Sequence, residues 1–469
     1  MRVLAIVVVS GAVMTVLDAA AVNVALDTVV RDLHGTLSSA QWIVTGYMLA
    51  LALVVPVTGW ATARFGPTRL WMLSLVLFLV GSVLCGVSWS ISSLIFFRLV
   101  QGLGGGMIAP LAQTILARAA GPERMGRVMS TLGIATVLGP VIGPVLGGVL
   151  VQNMSWRWIF FINLPIGMLA LAGAARVLPH LAGQLSERLD ILGLVLASVG
   201  LVALTFGLSR VSGYGGFGLP ATYGSMAIGM VLLAVFVLHS LRRGPTALID
   251  IRLFADRGFF AASVALFLVG MSLFGFLLLL PLYYQSVRGQ GAYGAGLLLI
   301  PQGVGVALAL PLAGKLTDRF SARVVVAPGI VLMLVGTLAF TQVTASTSYL
   351  LLAMALVIRG LGMGMAMTPV TAAAYVLLPR DALARAISAT NAIRQLGGSM
   401  GTALLAVILI RNITHTATKA TAPEQQAQLA HAYGQTFWVT CALIAIVLLP
   451  TLFLPCAPHP GQFNDTADD

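Results

Sequence analysis

One acidic residue, Asp18, lies well inside a membrane-length apolar stretch, and its carboxyl is the group in this sequence best suited to reversible charge chemistry. An acid at such a depth costs roughly 2.5–3.5 kcal/mol on insertion scales, and by default it faces a protein-lined or watery cavity. Burial favours the neutral carboxyl and a nearby cation favours the carboxylate, so a group under both influences can be tuned to exchange protons near neutral pH. Arg98 is the natural partner. It stands about five residues into a helix that crosses in the opposite direction, hence at comparable depth. A guanidinium there needs a carboxylate, backbone carbonyls or water to compensate it. An ionised Asp18 captures Arg98 and a protonated one releases it, so two conformations that differ in this contact differ in proton affinity. The competing readings are an acid locked in a structural ion pair and an arginine satisfied by carbonyls alone.

The elements that must hold this pair are membrane helices. Of the 469 residues 59% are hydrophobic and 9% charged, far below the roughly 25% of charged residues in soluble domains. The 51 glycines fit lipid-embedded helices that approach closely. A spanning helix needs roughly 20 apolar residues, which predicts helices near 4–26, 39–60, 70–90, 93–117, 125–151, 158–178, 190–210, 222–242, 259–283, 292–313, 324–343, 348–374, 386–410 and 435–455. Asp18 then lies roughly 21 Å along the first helix, with Ala21, Val22 and Ala25 on its face, a setting of small side chains that predicts room for water or a ligand. Met1–Ala25 resembles a signal peptide, but Asp18 before the small cluster Ala19–Ala21 and the recurring apolar stretches predict an uncleaved first helix.

The formal charge of +12 sits mainly in short connections, the pattern of membrane orientation and not of nucleic-acid binding. With the N-terminus inside, inner connections hold seventeen Lys and Arg and outer ones six, which predicts both termini cytoplasmic and an even number of helices. Cys85, Cys441 and Cys456 lack CxxC spacing and a nearby histidine, and read as small hydrophobes; no metal or cofactor is expected.

The chain repeats itself. Ala61-Thr-Ala-Arg-Phe-Gly66 matches Leu316-Thr-Asp-Arg-Phe-Ser321, with the leading glycines Gly59 and Gly314 255 residues apart. Gly102-Leu-Gly-Gly-Gly-Met107 matches Gly360-Leu-Gly-Met-Gly-Met365, and Leu138-Gly139 with Gly143 matches Leu396-Gly397 with Gly401, each at an offset of 258. Agreement of the three offsets argues for two homologous halves. The organisation expected is a six-helix bundle over 1–180, two inserted helices and a cytoplasmic linker over 181–258, a second six-helix bundle over 259–456 and a short cytoplasmic tail over 457–469. Two such halves around a midplane site are a secondary-transporter plan, worked by rocking one against the other.

Other motifs point to moving parts and to a binding wall. Gly139-Pro140-Val-Ile-Gly143-Pro144 combines kink-forming prolines with glycines at four-residue spacing, a seam for tight packing, for pliability between halves, or for both. Arg64, Asp318 and Arg319 lie at the inner ends of the second and tenth helices; the arginines can cap helix C-termini and latch the opposite bundle, or simply anchor the inner face. Asn23, Tyr47, Gln101, Gln113, Asn163, Gln302, Asn391, Arg394 and Gln395 are the polar helix positions available to line a cavity, about half of them expected to touch substrate.

These residues resemble the major facilitator superfamily, and more narrowly its fourteen-helix drug:proton antiporters. The resemblance rests on Leu17-Asp18 with Val22-Asn23-Val24-Ala25-Leu26, on Arg98-Leu-Val-Gln101-Gly102, on the Gly139–Gly148 motif, and on Trp156-Arg157-Trp158-Ile-Phe-Phe-Ile-Asn163-Leu-Pro165-Ile-Gly167. It implies a twelve-helix core plus two helices in the plasma membrane, and proton-driven efflux of amphiphilic or cationic small molecules. It also implies that Asp18 and Arg98 are the proton-linked pair. Two positions depart from the pattern. Ala63 replaces the usual acid of the loop after the second helix, while its repeat keeps Asp318; and Asp27 follows Leu26 where a proline is usual.

The leading expectation is a proton-coupled exporter whose partners are its substrate, protons and the bilayer. A facilitator or importer with a structural Asp18 is the alternative. A sensor would need an appended soluble domain, an enzyme a motif such as HExxH, and an ATP-driven pump a GxxxxGK[ST] loop. The sequence contains none of these, so no nucleic acid, no enzymatic activity and no ATPase subunit are expected.

Overall fold

The computed structural model describes residues 2–35, 37–120, 124–178, 189–214, 220–244, 247–376, 378, 382–416 and 422–455; certain side chains within helices, including those of Asp27, Pro140 and Pro144, lie outside the described set. Cys456 and the tail expected over 457–469 lie outside it as well. The described residues form helices and no strand. The long helices are α1 (Arg2–Asp32), α2 (Leu37–Phe65), α3 (Pro67–Gly86), α4 (Ile91–Ala120), α5 (Met125–Asn153), α6 (Trp158–Phe161 continuing as Asn163–Val177), α7 (Ile191–Tyr214), α8 (Pro220–Arg243), α9 (Arg257–Ser286), α10 (Ile300–Arg319), α11 (Ala322–Leu338), α12 (Tyr349–Tyr375), α13 (Leu383–Thr416) and α14 (Ala422–Ile446). Thirteen of them carry a stretch long and apolar enough to cross a membrane; α5, 29 residues long, is the other.

Many helices overrun the lengths read from hydropathy. The apolar rule finds only the part that matches the hydrocarbon core, whereas backbone hydrogen bonding carries α2 on to Phe65 and α13 on to Thr416. Leu73, Val80, Phe96, Leu169, Leu308 and Leu350 are exposed around the outside, as lipid-facing side chains must be.

Packing follows the repeat. In the first six helices α1 packs on α5, α3 on α4 and α2 on α4; in the last six α9 packs on α13, α11 on α12 and α10 on α12. The two sets meet chiefly through α5 with α10 and through α2 with α13, again a related pair. The helices α7 and α8 pack on each other, and α7 leans on α2 and α13 at the side of this junction. Asp190 pins the inserted pair: His239 Nε2 lies 2.9 Å from its Oδ1, and the Gly193 and Leu248 amides donate to the same carboxylate. Burial pushes that carboxyl up, but the bonds from His239 and the two amides outweigh it and hold it below the usual carboxylate range.

Candidate functional site

Close helix contacts place the charged residues. A Cβ at Gly81 of α3 would lie 2.6 Å from the Gln101 Cα, and one at Gly102 would lie 2.7 Å from the Ala50 Cβ of α2. Glycine at both positions lets α4 press against α2 and α3, which aims Arg98 and Gln101 at α1. On the other side of α1, a Cβ at Gly143 would lie 2.5 Å from the Ala20 Cβ, and one at Gly147 would lie 2.9 Å from the Ala21 carbonyl oxygen. The backbone of α5 therefore takes up most of the space expected beside Asp18 and leaves only a small void there.

Asp18 ends up almost wholly buried in a hydrogen-bonded network. Arg98 Nη1 donates to Asp18 Oδ2 at 2.5 Å and to Gln101 Oε1 at 2.8 Å. Asp18 Oδ1 accepts from Gln101 Nε2 at 3.0 Å and from Asn163 Nδ2 at 2.8 Å. Both amides also donate to Ser82 Oγ, which passes its own proton to the Phe160 carbonyl at 2.8 Å. Cys85 Sγ lies 3.7 Å from Gln101 Oε1, so this thiol is a member of the network and not merely apolar filling. The Arg98 guanidinium stacks on the Tyr47 ring with its carbon 4.0 Å from the centroid. A carboxylate is acceptor-only, which fixes both amide nitrogens toward it; a protonated carboxyl becomes a donor and calls for an amide oxygen. Asn163 Oδ1 is buried with no hydrogen-bond partner, so a half-turn of that amide presents the acceptor a neutral Asp18 needs. The network can thus serve both protonation states, and Arg98 is the member that loses its counter-charge when a proton arrives.

A central cavity of about 340 Å³ lies between the halves. Of the polar positions expected to line it, Tyr47, Gln113, Gln302, Asn391, Arg394 and Gln395 do so. Three others do not. Gln101 and Asn163 are buried behind the wall as partners of Asp18, and Asn23, on the turn beyond Asp18, is exposed and lies off the cavity. Asp18 itself is not on the cavity wall. It borders a separate void of about 20 Å³ among α1, α5 and α6, large enough for one water. Tyr47 spans the two regions, lining the cavity while its ring carries Arg98.

Ser82, like Cys85, is a network member that sequence reasoning missed. Serines and threonines recur along these helices, and Thr58, Thr62, Ser74 and Thr114 each bond the carbonyl four residues back. Ser82 instead reaches across to α6, and nothing in its local sequence separates it from the rest. The apolar lining, with Met48, Met129, Met363, Met367 and Phe274, was equally unmarked among many similar residues.

The halves touch at the face where α1 begins. Asp318 Oδ1 accepts from the Gly126 amide at 2.9 Å and the Arg127 amide at 3.3 Å, so the acid at the end of α10 caps the start of α5 across the junction. Arg319, expected as a latch, points outward over Phe320 instead. Arg64 lies near the rings of Trp60 and Phe65 on its own helix end. Where Ala63 replaces the acid in the first repeat, the corresponding junction is made by backbone approach, a Cβ at Gly59 falling 3.1 Å from the Arg385 Cα. Deeper in, Asn391 Nδ2 donates to Gln113 Oε1 at 2.7 Å and ties α13 to α4. The glycines of the α5 motif pack on α1, within the first half; Gly139 meets Val16 there. They form a seam inside one bundle, while Gly133 and Gly126, earlier on α5, face α10.

Residues 8–402 match the family model described as Major Facilitator Superfamily. The chain is 41% identical over 481 residues to "Multidrug resistance protein B homolog" of Mycobacterium tuberculosis (strain ATCC 25618 / H37Rv), covering 96% of this chain and 89% of the relative. It is 31% identical over 394 residues to "Multidrug export protein EmrB" of Haemophilus influenzae, covering 83% of this chain and 77% of the relative. The solved proton:xylose symporter XylE bound to 6-bromo-6-deoxy-D-glucose matches with a TM-score of 0.66 at 14% identity, over 97% of this chain and 96% of that one; this likeness is one of fold.

Proposed function

Since this chain belongs to the major facilitator superfamily, we propose that it is a proton-coupled exporter of amphiphilic small molecules, working by alternating access in the plasma membrane with Asp18 as the group whose charge changes. In this reading α5 is the fourteenth span, both termini are cytoplasmic, and residues 1–180 and 259–456 are the two bundles that rock. Relatives named as multidrug resistance and export proteins support the export direction.

One observation carries the coupling. Asp18 is paired with Arg98 inside the first bundle, with the Asn163 amide, which can serve either protonation state, and an arginine that cannot. With the contacts of Asp318 and Gly59 closing the cytoplasmic face, an ionised Asp18 awaits a proton from outside, by way of the small void between α1, α5 and α6. Protonation frees Arg98, which stays on Tyr47, and Tyr47 forms part of the cavity wall. The proton is thereby felt where cargo sits, without sharing its site. Neither Gln101 nor Asn163 contacts cargo here; both hold Asp18. In the cavity Tyr47, Gln302, Asn391 and Arg394 remain the polar contacts for substrate.

The test is transport into proteoliposomes under an imposed pH gradient, with a panel of cationic, neutral and anionic amphiphilic dyes. Wild type moves at least one dye uphill; Asp18→Asn loses uphill movement while keeping downhill counterflow, which shows that the variant is folded. Uphill movement retained in Asp18→Asn assigns coupling elsewhere. A second reading, a facilitator with a structural Asp18, is favoured by the absence of Asp18 from the cavity wall, and it predicts that the pH gradient drives nothing even in wild type.

A further inference from the structure

The described wall of the central cavity contains one charged side chain, Arg394, and no acid. Arg394 lies about three turns into α13, half-buried, and Nη2 donates to Asn391 Oδ1 at 3.1 Å. Asn391 is itself anchored by donating to the Ile387 carbonyl and, across the junction, to Gln113 Oε1. A guanidinium carries five N–H donors, and Asn391 takes up only one of them. No ion pair among the described residues includes Arg394. Nor has the chain a spare acid to supply. Of its fourteen acidic residues only Asp18 lies deep within a spanning helix, and Asp18 is spent on Arg98.

We infer that the cavity takes amphiphiles with an acidic head, a carboxylate or an equivalent organic anion, seated on Arg394. The inference rests on the transport reading above and names its substrate class. The wall offers further polar groups: Tyr375, its hydroxyl 2.6 Å from Thr390 Oγ1, and elsewhere Gln302, whose Oε1 has no partner. The rest of the wall is thioether, aliphatic and aromatic, suited to an apolar tail. A desolvated anion on a fixed guanidinium gains a charge-assisted bond, whereas a cation meets like charge with no carboxylate to offset it. The Tyr47 ring, which could otherwise seat a cation, already carries Arg98. The cationic substrates implied by family resemblance therefore lack a counter-charge on this wall.

The test uses the full chain in nanodiscs and three probes with one tail: dansyl-undecanoate, its methyl ester, and the matching trimethylammonium. The carboxylate is expected to bind at least tenfold tighter than the ammonium, with the ester between. Arg394→Gln removes the difference by weakening the carboxylate at least tenfold and leaving the ester within threefold, which also shows that the cavity is intact. Arg394→Lys restores most of the preference. Equal or tighter binding of the ammonium, an unchanged preference in Arg394→Gln, or no binding of any probe overturns the inference. The reading of proton-coupled export falls separately: uphill transport of a cationic dye that depends on Asp18 would leave that reading standing while this one fails.

Discussion

The two halves present the same backbone contact with opposite chemistry. In the first, Gly81 of α3 opens space for Gln101 of α4; in the second, Gly336 of α11 does the same for Arg359 of α12, a Cβ at Gly336 falling 2.6 Å from the Arg359 amide nitrogen. Gln101 and Arg359 are 258 residues apart, the offset of the glycine motifs. Gln101 joins a network that hydrogen-bonds Asp18 and pairs it with Arg98. Arg359 is fully buried, and none of its three side-chain nitrogens has a hydrogen-bond partner. Its guanidinium carbon lies 3.6 Å from the Phe276 centroid, and Phe276, Phe340 and Phe437 form a ring triangle with centroids 5.4–5.5 Å apart. A desolvated cation on an aromatic face recovers about 2 kcal/mol, and no carboxylate among the described residues pairs with it. On the proposed function the first half changes charge and the second holds a fixed one, and asymmetry between related positions, not symmetry, then marks where coupling resides.

The largest expected effect breaks the first of these sites. Asp18→Asn removes the counter-charge of Arg98 and leaves a buried guanidinium with Gln101 as its hydrogen-bond partner, a loss of about 3–5 kcal/mol. Thermal unfolding in detergent should fall by several degrees, and Asp18→Asn with Arg98→Gln should recover much of it. A single variant as stable as wild type would mean that the pair is not the strong contact its geometry indicates.

The matching change in the second half should act oppositely. Arg359→Met replaces an unsatisfied buried cation by a side chain of similar length suited to an aromatic setting, so stability should hold or rise by about 1 kcal/mol. The pH dependence of dye transport should stay as in wild type. If Arg359→Met abolishes that dependence, the fixed-charge description of the second half is wrong.

The glycine seams sharpen the contrast with an effect smaller than that of Asp18→Asn. Gly143→Ala on α5 drives a methyl against Ala20 and the Leu17 carbonyl, while Gly401→Ala on α13 meets the Met271 backbone, its Cβ 2.5 Å from Met271 Cα. Each overpacking should cost about 1–3 kcal/mol. Only the first moves the turn that carries Asp18. Gly143→Ala should therefore shift the pH at which transport is half-maximal, and Gly401→Ala should lower stability alone. Equal pH profiles for the two would separate the α1–α5 seam from the proton site.

Much of this arrangement is legible in the amino-acid sequence. Repeated motifs at nearly one offset indicate the pairing of helices, because homologous halves bury the same faces. A lone intramembrane acid and an arginine at comparable depth indicate their contact, since a buried carboxylate favours a nearby cation. Arg359, held on Phe276, shows that an arginine at depth does not itself require an acid. Less legible is which polar residues face inward. Gln101, Asn163 and Tyr47 are alike as sequence, yet the first two turn behind the wall and the third lines it, according to how close glycine contacts orient each helix. Asn23 follows the same logic: it lies five residues past Asp18 and so points some 140° away on the helix.

The smallest effect concerns the junction at the face where α1 begins, where the halves differ by one carboxylate. Asp318 accepts from two amides at the start of α5, and Ala63 offers no counterpart toward α13. Losing a cap costs about 1 kcal/mol, enough for a roughly fivefold shift in the balance between a state closed at this face and one open there. Asp318→Asn keeps the shape and weakens the bonds, so it should raise labelling of a cysteine placed on the cavity side of this junction by a few fold. Ala63→Asp should lower that labelling, provided the new carboxylate reaches the start of α13 as Asp318 reaches α5. If Asp318→Asn leaves labelling unchanged, backbone approach at Gly59 and Gly314 closes this face without help, and the missing acid in the first half costs the protein nothing.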